Sequence, residues 1–165
     1  MEIALVLHDV RSVHNVGSIF RTADAAGITK IYLGGITPVP LDRFKKVRPD
    51  FAKVSLGSER SVAWESVNGR GAAVSVIGKL KKEGYKIFAV EQSKKSLPYY
   101  TAEVLACTRR SKKIALVLGN EVEGLPLSIL KMMDMAIEIP MAGKKESLNV
   151  AVAFGIVAFR LRYPS

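Results

Sequence analysis

The sequence predicts an α/β protein with a mainly parallel sheet flanked by helices, and three observations carry that reading. Short continuous apolar runs, such as residues 2–7 (Glu-Ile-Ala-Leu-Val-Leu) and 113–118 (Lys-Ile-Ala-Leu-Val-Leu), suit strands covered on both faces. Stretches with apolar residues at helical spacing lie between such runs. The 13 glycines and 7 prolines fall largely at the junctions, where they end one element and permit a turn before the next. Strands alternating with helices imply parallel crossovers. With 165 residues, 48% of them hydrophobic, and a mean hydropathy of +0.17, the chain is expected to fold as one domain over residues 1–165.

Taken in order, residues 2–7 form the first strand, and the polar loop His8-Asp-Val-Arg-Ser-Val-His-Asn15 follows it. Residues 16–26 have helical periodicity and stop at Gly27, a residue suited to a left-handed C-cap. Residues 30–33 form a second strand closed by Gly34-Gly35. Residues 36–50 hold Pro38, Pro40 and Pro49 among Arg43, Lys45, Lys46 and Arg48, which predicts a long basic loop with at most one helical turn. Such loops inside compact domains are usually functional or mobile. Residues 51–56 read as a short edge strand with Trp64 packed nearby. Residues 71–84 read as a helix whose Lys79, Lys81 and Lys82 complement the negative end of its dipole. Residues 86–91 form a strand, 97–107 a loop and short helix, 113–118 a strand ending at Gly119, and 127–133 a helix after Pro126.

The end of the chain is the most distinctive part. Residues 135–139 are short and apolar, as a strand would be; Pro140 prevents the ladder from continuing, and Gly143 permits a turn. Ser147 is a good N-cap for a helix over residues 148–162, with Asn149 in its first turn. That run is apolar on every side until Arg160, so it needs cover on every side. It is shorter than the about 20 residues a membrane span requires. Its N-terminus would point at a strand-end loop, where free backbone groups can hold a polar ligand.

Composition narrows the chemistry. Cys107 is the only cysteine, which excludes an intrachain disulfide and a Cys-rich zinc site; with only His8 and His14 besides, no metal centre is expected. The 25 Lys+Arg against 15 Asp+Glu give a formal charge of +10 and a pI near 9.8, which fits a polyanionic partner such as nucleic acid. The basic pairs are scattered, and each one alone is as well explained by a solvated face. No basic-then-apolar leader opens the chain, so a cytoplasmic protein and no membrane partner are expected.

Ligands of open α/β sheets bind beyond the carboxyl ends of strands. Three such ends carry unusual polar content here: residues 8–21, 119–124 and 139–149. Gly119 and Gly124 are spaced like phosphate-loop glycines, but Leu125-Pro126 stands where Lys-Ser/Thr is required. No Gly-x-Gly-x-x-Gly follows the first strand, which argues against an ordinary dinucleotide enzyme. Each polar residue in these segments has a plain structural reading as well. Asn15 can serve as an N-cap, Arg21 can lay its stem on the surface and meet a carboxylate, Glu121 can sit in a turn, and Ser147 and Asn149 can be caps.

Together the segments show a resemblance. Asn15-Val-Gly-Ser-Ile-Phe-Arg21-Thr-Ala-Asp-Ala-Ala-Gly27, Leu116-Val-Leu-Gly-Asn-Glu-Val-Glu-Gly124 and Ile139-Pro-Met-Ala-Gly-Lys-Lys-Glu-Ser-Leu-Asn149-Val-Ala-Val-Ala resemble motifs 1, 2 and 3 of the SpoU/TrmH family of RNA ribose 2′-O-methyltransferases, in the SPOUT superfamily. The resemblance implies a C-terminal deep trefoil knot, against the general rarity of knots. It also implies S-adenosylmethionine as cofactor, held largely by backbone groups at Leu118, Gly119, Ile139, Met141, Ser147 and Leu148. The implied partners are tRNA or rRNA and a second copy of the chain, packed through the first and last helices.

By the same resemblance, Arg21 acts on the ribose 2′-hydroxyl, with Asn15, Glu121, Ser147 and Asn149 as the supporting polar set. A guanidinium holds its proton too firmly to be a good base. Arg21 is therefore expected to bind the adjacent phosphate and stabilise charge on the attacking oxygen. The three strand ends are expected to converge on one pocket with Arg21 beside the methyl donor. The chain matches a bare catalytic core with no added RNA-binding domain, so recognition is expected to fall to residues 37–53, Arg11 and the partner subunit. The alternative is a knotted RNA-binding module without catalysis, against which the intact polar set speaks.

Overall fold

A computed structural model describes residues 1–69 and 71–164. A wholly parallel seven-stranded sheet forms its centre. In chain order the strands are β1 (Glu2–His8), β2 (Lys30–Gly34), β3 (Trp64–Val67), β4 (Lys86–Val90), β5 (Leu97–Pro98), β6 (Lys113–Leu118) and β7 (Met135–Glu138). Their order across the sheet is β3-β2-β1-β6-β4-β7-β5. The two middle strands carry the same pentapeptide and pair residue for residue, Ile3 with Ile114 through Leu7 with Leu118. Their side chains alternate between faces, as a pleated strand requires. Ile3, Leu5, Leu7, Ile114, Leu116 and Leu118 face one core, while Ala4, Val6, Ala115 and Val117 face the other.

The helices are α1 (Val13–Ala26), α2 (Pro49–Ser55), α3 (Ser58–Ser61), α4 (Ala72–Lys82), α5 (Ala102–Arg110), α6 (Leu127–Leu130) and α7 (Val150–Arg162). Residues of α1, α2, α5 and α7 build the larger core on one face of the sheet. Those of α4 and α6 cover the other, where the alanines of the middle strands leave room for Val76, Ile77 and Leu80. The alternating α/β reading with a parallel sheet therefore holds. Among the described residues no helix is long and apolar enough to cross a membrane.

Three local expectations are corrected. Residues 51–56 are not an edge strand. Pro49 opens α2, its fixed φ suiting the first helical position, and Phe51 and Ser55 fall four apart on the buried side. Phe51 meets Phe20 of α1 edge-on, with centroids 5.2 Å apart and planes at 82°, a contact worth ~0.5–1.5 kcal/mol beyond burial. The edge strand is β3 instead, where Trp64 pairs with Ile31. Ser12 caps α1, its hydroxyl accepting from the Asn15 backbone N–H at 3.2 Å, so Asn15 lies inside the first turn. The last helix begins at Val150, capped by Asn149, whose side chain accepts from the N–H groups of Ala151 and Val152; Ser147 and Leu148 precede it, outside the helix.

Within one chain α7 is not covered on every side. Val150, Phe154, Val157, Ala158 and Leu161 are buried against the sheet and α1, but Val152 and Phe159 are 51% and 41% exposed.

Candidate active site

Because every strand of the sheet is parallel, all the strand carboxyl ends, and the loops leaving them, lie at one edge. The loop after β6 is a tight turn organised by Asn120, which is 7% exposed. Its Oδ1 accepts from the N–H groups of Val122 at 2.8 Å and Glu123 at 3.1 Å, while its Nδ2 donates to the carbonyl of Asp9 at 3.0 Å. An Asn side chain replacing a backbone acceptor in this way is a standard means of closing a turn. The loop then folds back so closely that a Cβ on Gly119 would lie 2.5 Å from the backbone of Gly124. Gly124 itself has φ 68°, and a Cβ there would meet the Glu91 carboxylate at 2.5 Å. Glu91, just beyond β4, accepts from the Leu125 N–H at 2.8 Å and so ties this loop to the next strand over.

Glu121 stands on the same turn and also clamps. Its carboxylate accepts from the Asn15 Nδ2 at 3.0 Å and from the Arg11 backbone N–H at 3.2 Å. The Asn15 Oδ1 in turn accepts from the Asn149 Nδ2 at 3.0 Å, and Asn149 Oδ1 accepts from the Ala151 N–H at 2.9 Å. The result is a relay in one direction, from the positive N-terminal end of α7 through two amides to a carboxylate. Burial pushes the Glu121 carboxyl up, but the hydrogen bonds from Asn15 and from backbone N–H groups outweigh it and leave its pKa below the ordinary value. Glu121 is therefore ionised at neutral pH, as an anchor for this relay must be.

Beside the relay lies a cavity of about 310 Å³. Leu118, Gly119, Ile139, Met141, Ser147 and Leu148, the six residues expected to touch a cofactor, all line it. Leu118, Ile139, Met141, Leu148 and Val150 supply apolar walls. Glu91, Glu121, Glu138 and Glu146 supply carboxylates, and among the described residues no Lys or Arg is in the lining, although the chain carries a formal charge of +10. This donor set fits a ligand with a flat apolar part and a positive charge.

The structure brings Asn15, Glu121, Ser147 and Asn149 to the cavity or its rim, but not Arg21 of the same chain. Arg21 is exposed and lines a second, wider groove of about 990 Å³ between α1, α2 and α7, with His14, Ser18, Thr22, Asp50, Lys53 and Phe159. Asn15 faces the cavity loops from the start of α1, whereas Arg21 is almost two turns further along the helix. Sequence reasoning missed Asn120 and Glu91. An Asn directly after a strand-ending glycine carried a detectable turn signal; Glu91, at the end of an ordinary strand, carried none.

Comparison with known proteins agrees in extent with the three motif segments. The sequence model of the SpoU rRNA Methylase family matches residues 2–159. The 23S rRNA (guanosine(2553)-2'-O)-methyltransferase RlmP of Bacillus subtilis is 30% identical over 158 residues, covering 96% of this chain and 57% of that protein. The tRNA (guanosine(18)-2'-O)-methyltransferase of Aquifex aeolicus is 30% identical over 152 residues, covering 92% of this chain and 64% of that protein. The crystal structure of an AdoMet-bound rRNA methyltransferase from Sinorhizobium meliloti superposes with a TM-score of 0.81 at 30% identity, over 98% of this chain and 56% of that one. The chain thus spans between about half and two thirds of the length of these relatives.

Proposed function

The chain belongs to the SpoU rRNA Methylase family, and on that premise we propose that it is an S-adenosylmethionine-dependent methyltransferase acting on a ribose 2′-hydroxyl of tRNA or rRNA. The observation that carries this reading is the Glu121–Asn15–Asn149 relay. It joins residues 106 and 134 apart in sequence through hydrogen bonds of 3.0 Å at the mouth of one cavity. A module that only bound RNA would have no use for so closely specified a polar contact beside a small-molecule cavity.

S-adenosylmethionine, when bound, supplies a methyl group on a positively charged sulfur. Leu118, Ile139, Met141 and Leu148 would enclose its base, and the Glu91, Glu121, Glu138 and Glu146 carboxylates complement its positive charge. Arg21 is read as the residue that binds the phosphate next to the target nucleotide and stabilises negative charge growing on the attacking oxygen. The phosphate-binding role suits its exposure. Because Arg21 lies outside the cavity of its own chain, it would serve the cavity of a second copy. We propose a homodimer packed through α1 and α7, which would also cover Val152, Phe159 and Tyr163, exposed at 51%, 41% and 63%. A trefoil knot at the C-terminal end completes this reading. It is supported by β7, the last strand in sequence, lying inside the sheet between β4 and β5, and by α7 returning to pack on α1. Residues 1–165 act as one catalytic domain, in the cytoplasm with its RNA substrates.

The test is transfer of labelled methyl from S-adenosylmethionine to bulk RNA by the wild type and by Arg21→Lys. The variant is expected to lose turnover and to keep cofactor affinity, measured by calorimetry, within about twofold. A lysine cannot reproduce the planar fork of a guanidinium on phosphate and oxygen together. Retained turnover would remove Arg21 from the mechanism, and a wild type without transfer would refute the methyltransferase reading.

A further inference from the structure

Residues 36–48, read from sequence as a basic loop, have a defined shape with an exposed aromatic tip. The loop is anchored at both ends. Thr37, 5% exposed, donates to the carbonyl of Gly34 at 2.7 Å, and Val39 packs on the core. On the return side Leu41 bridges to Val47 in antiparallel fashion, and the Arg48 N–H donates to the Pro40 carbonyl at 2.9 Å. Between these anchors Asp42 organises the tip. Its Oδ1 accepts from the N–H groups of Phe44 at 2.8 Å and Lys46 at 2.9 Å, its carbonyl accepts from Lys45 at 3.0 Å, and its N–H donates to the Lys46 carbonyl at 2.8 Å. Lys45 is thereby held at φ 60°, a conformation few non-glycine residues adopt.

So organised, the tip presents Phe44, which is 66% exposed, with the Arg43 guanidinium 4.7 Å from its ring centroid. Lys45 and Lys46 flank it. A turn closed by these hydrogen bonds holds a large apolar ring in water. The return arm leads directly into α2, whose Asp50 and Lys53 line the same groove as Arg21. The Phe20–Phe51 contact fixes α2 to α1, the helix that bears Arg21.

We propose that Phe44 is a base-stacking residue: the hairpin at residues 41–47 is a finger that stacks one unpaired RNA base on the Phe44 ring, with Arg43, Lys45 and Lys46 on the flanking phosphates. An exposed ring with a guanidinium over it, followed in the same turn by two lysines, matches single-stranded RNA, whose exposed base faces stack on aromatics while its phosphates meet basic side chains. A duplex hides its base faces, so the finger selects unpaired nucleotides. The assignment rests on the RNA-substrate reading above and deepens it, giving the enzyme a grip on the strand from the loop that leads into the wall of the Arg21 groove.

The experiment compares wild type, Phe44→Ala, Phe44→Trp and Lys45→Gln/Lys46→Gln in binding a fluorescein-labelled single-stranded oligoribonucleotide and a duplex of equal length, across a salt series. Phe44→Ala is expected to weaken single-strand binding about 5- to 150-fold, the range for loss of one stacked base, with an unchanged salt slope. Phe44→Trp is expected to restore it. The double Lys variant is expected to flatten the salt dependence by about one unit of slope per lost phosphate contact. Cofactor affinity by calorimetry is expected to be unchanged in all of them, since none lines the cavity. Single-strand binding by Phe44→Ala within twofold of wild type overturns the proposal. So does an equal loss on the duplex, failure of Trp to restore binding, or loss of the dimer in sedimentation, which would make Phe44 a subunit contact. Methyl transfer to bulk RNA separates the two readings. Wild-type transfer with a silent Phe44→Ala refutes the finger alone, and stacking-dependent binding without transfer refutes the methyltransferase reading alone.

Discussion

Gly119→Ala tests whether the backbone approach beneath the cavity sets its shape. An added Cβ would lie 2.5 Å from both the carbonyl carbon and oxygen of Gly124 and 2.8 Å from the Leu125 nitrogen, where ordinary contact begins at 3.4 Å. The two strands of the turn must therefore separate by about 0.9 Å, the difference between 3.4 and 2.5 Å. They cannot do so freely. Asn120 binds the turn from within, and Glu91 holds Leu125 from the neighbouring strand. Overpacking of this kind costs ~1–3 kcal/mol. Gly119 and Gly124 both line the cavity, so the same displacement is expected to weaken S-adenosylmethionine binding at least about tenfold. The control is Gly78→Ala in α4, where the new methyl would meet only the end of Met132 at 4.0 Å. Filling a helix interior there is expected to stabilise by ~0.5–1 kcal/mol and leave binding untouched. Chemical denaturation and calorimetry on both variants provide the readouts. Cofactor affinity of Gly119→Ala equal to that of wild type would show that the close approach does not shape the site.

Phe51→Ala removes a fully buried ring and its edge-on contact with Phe20, and is expected to cost ~3–5 kcal/mol in urea unfolding; a cost under ~1 kcal/mol would argue against α2 as part of the core. Glu91→Ala strips the acceptor from the Leu125 N–H, and a loss of ~1–3 kcal/mol with weaker cofactor binding is expected; unchanged binding would leave Glu91 only a structural latch. The Glu121 carboxyl is held below its ordinary pKa, so its contribution to stability is complete above the unfolded carboxyl's pKa and is lost as pH falls through the lower folded value. Glu121→Gln should therefore flatten the acid side of the stability profile relative to wild type, and superimposable profiles would refute the relay's charged anchor.

Much of the architecture was legible without coordinates, for a physical reason. A strand covered on both faces needs apolar residues at every position, so the repeated Ile-Ala-Leu-Val-Leu runs announced the two middle strands and their parallel setting. Residues 51–56 were misread because six residues, here Phe-Ala-Lys-Val-Ser-Leu, are too few to distinguish helical from alternating periodicity; Pro49 at the helix start and packing on Phe20 settle it. Ser147 and Asn149 are both good caps, and the structure places the helix start at Asn149, whose side chain accepts from the N–H groups of Ala151 and Val152.

The candidate site divides along the same line. The sequence by itself determined which segments carry its chemistry, because turn glycines, caps and the polar residues at strand ends are local properties of the chain. Tertiary structure alone decided that Asn15, Glu121 and Asn149 form one relay, that Glu91 latches the cavity loop, and that Arg21 faces a different groove. Those relations join residues far apart in sequence or depend on which side of a helix meets the sheet. Only the packing of the whole chain sets either one.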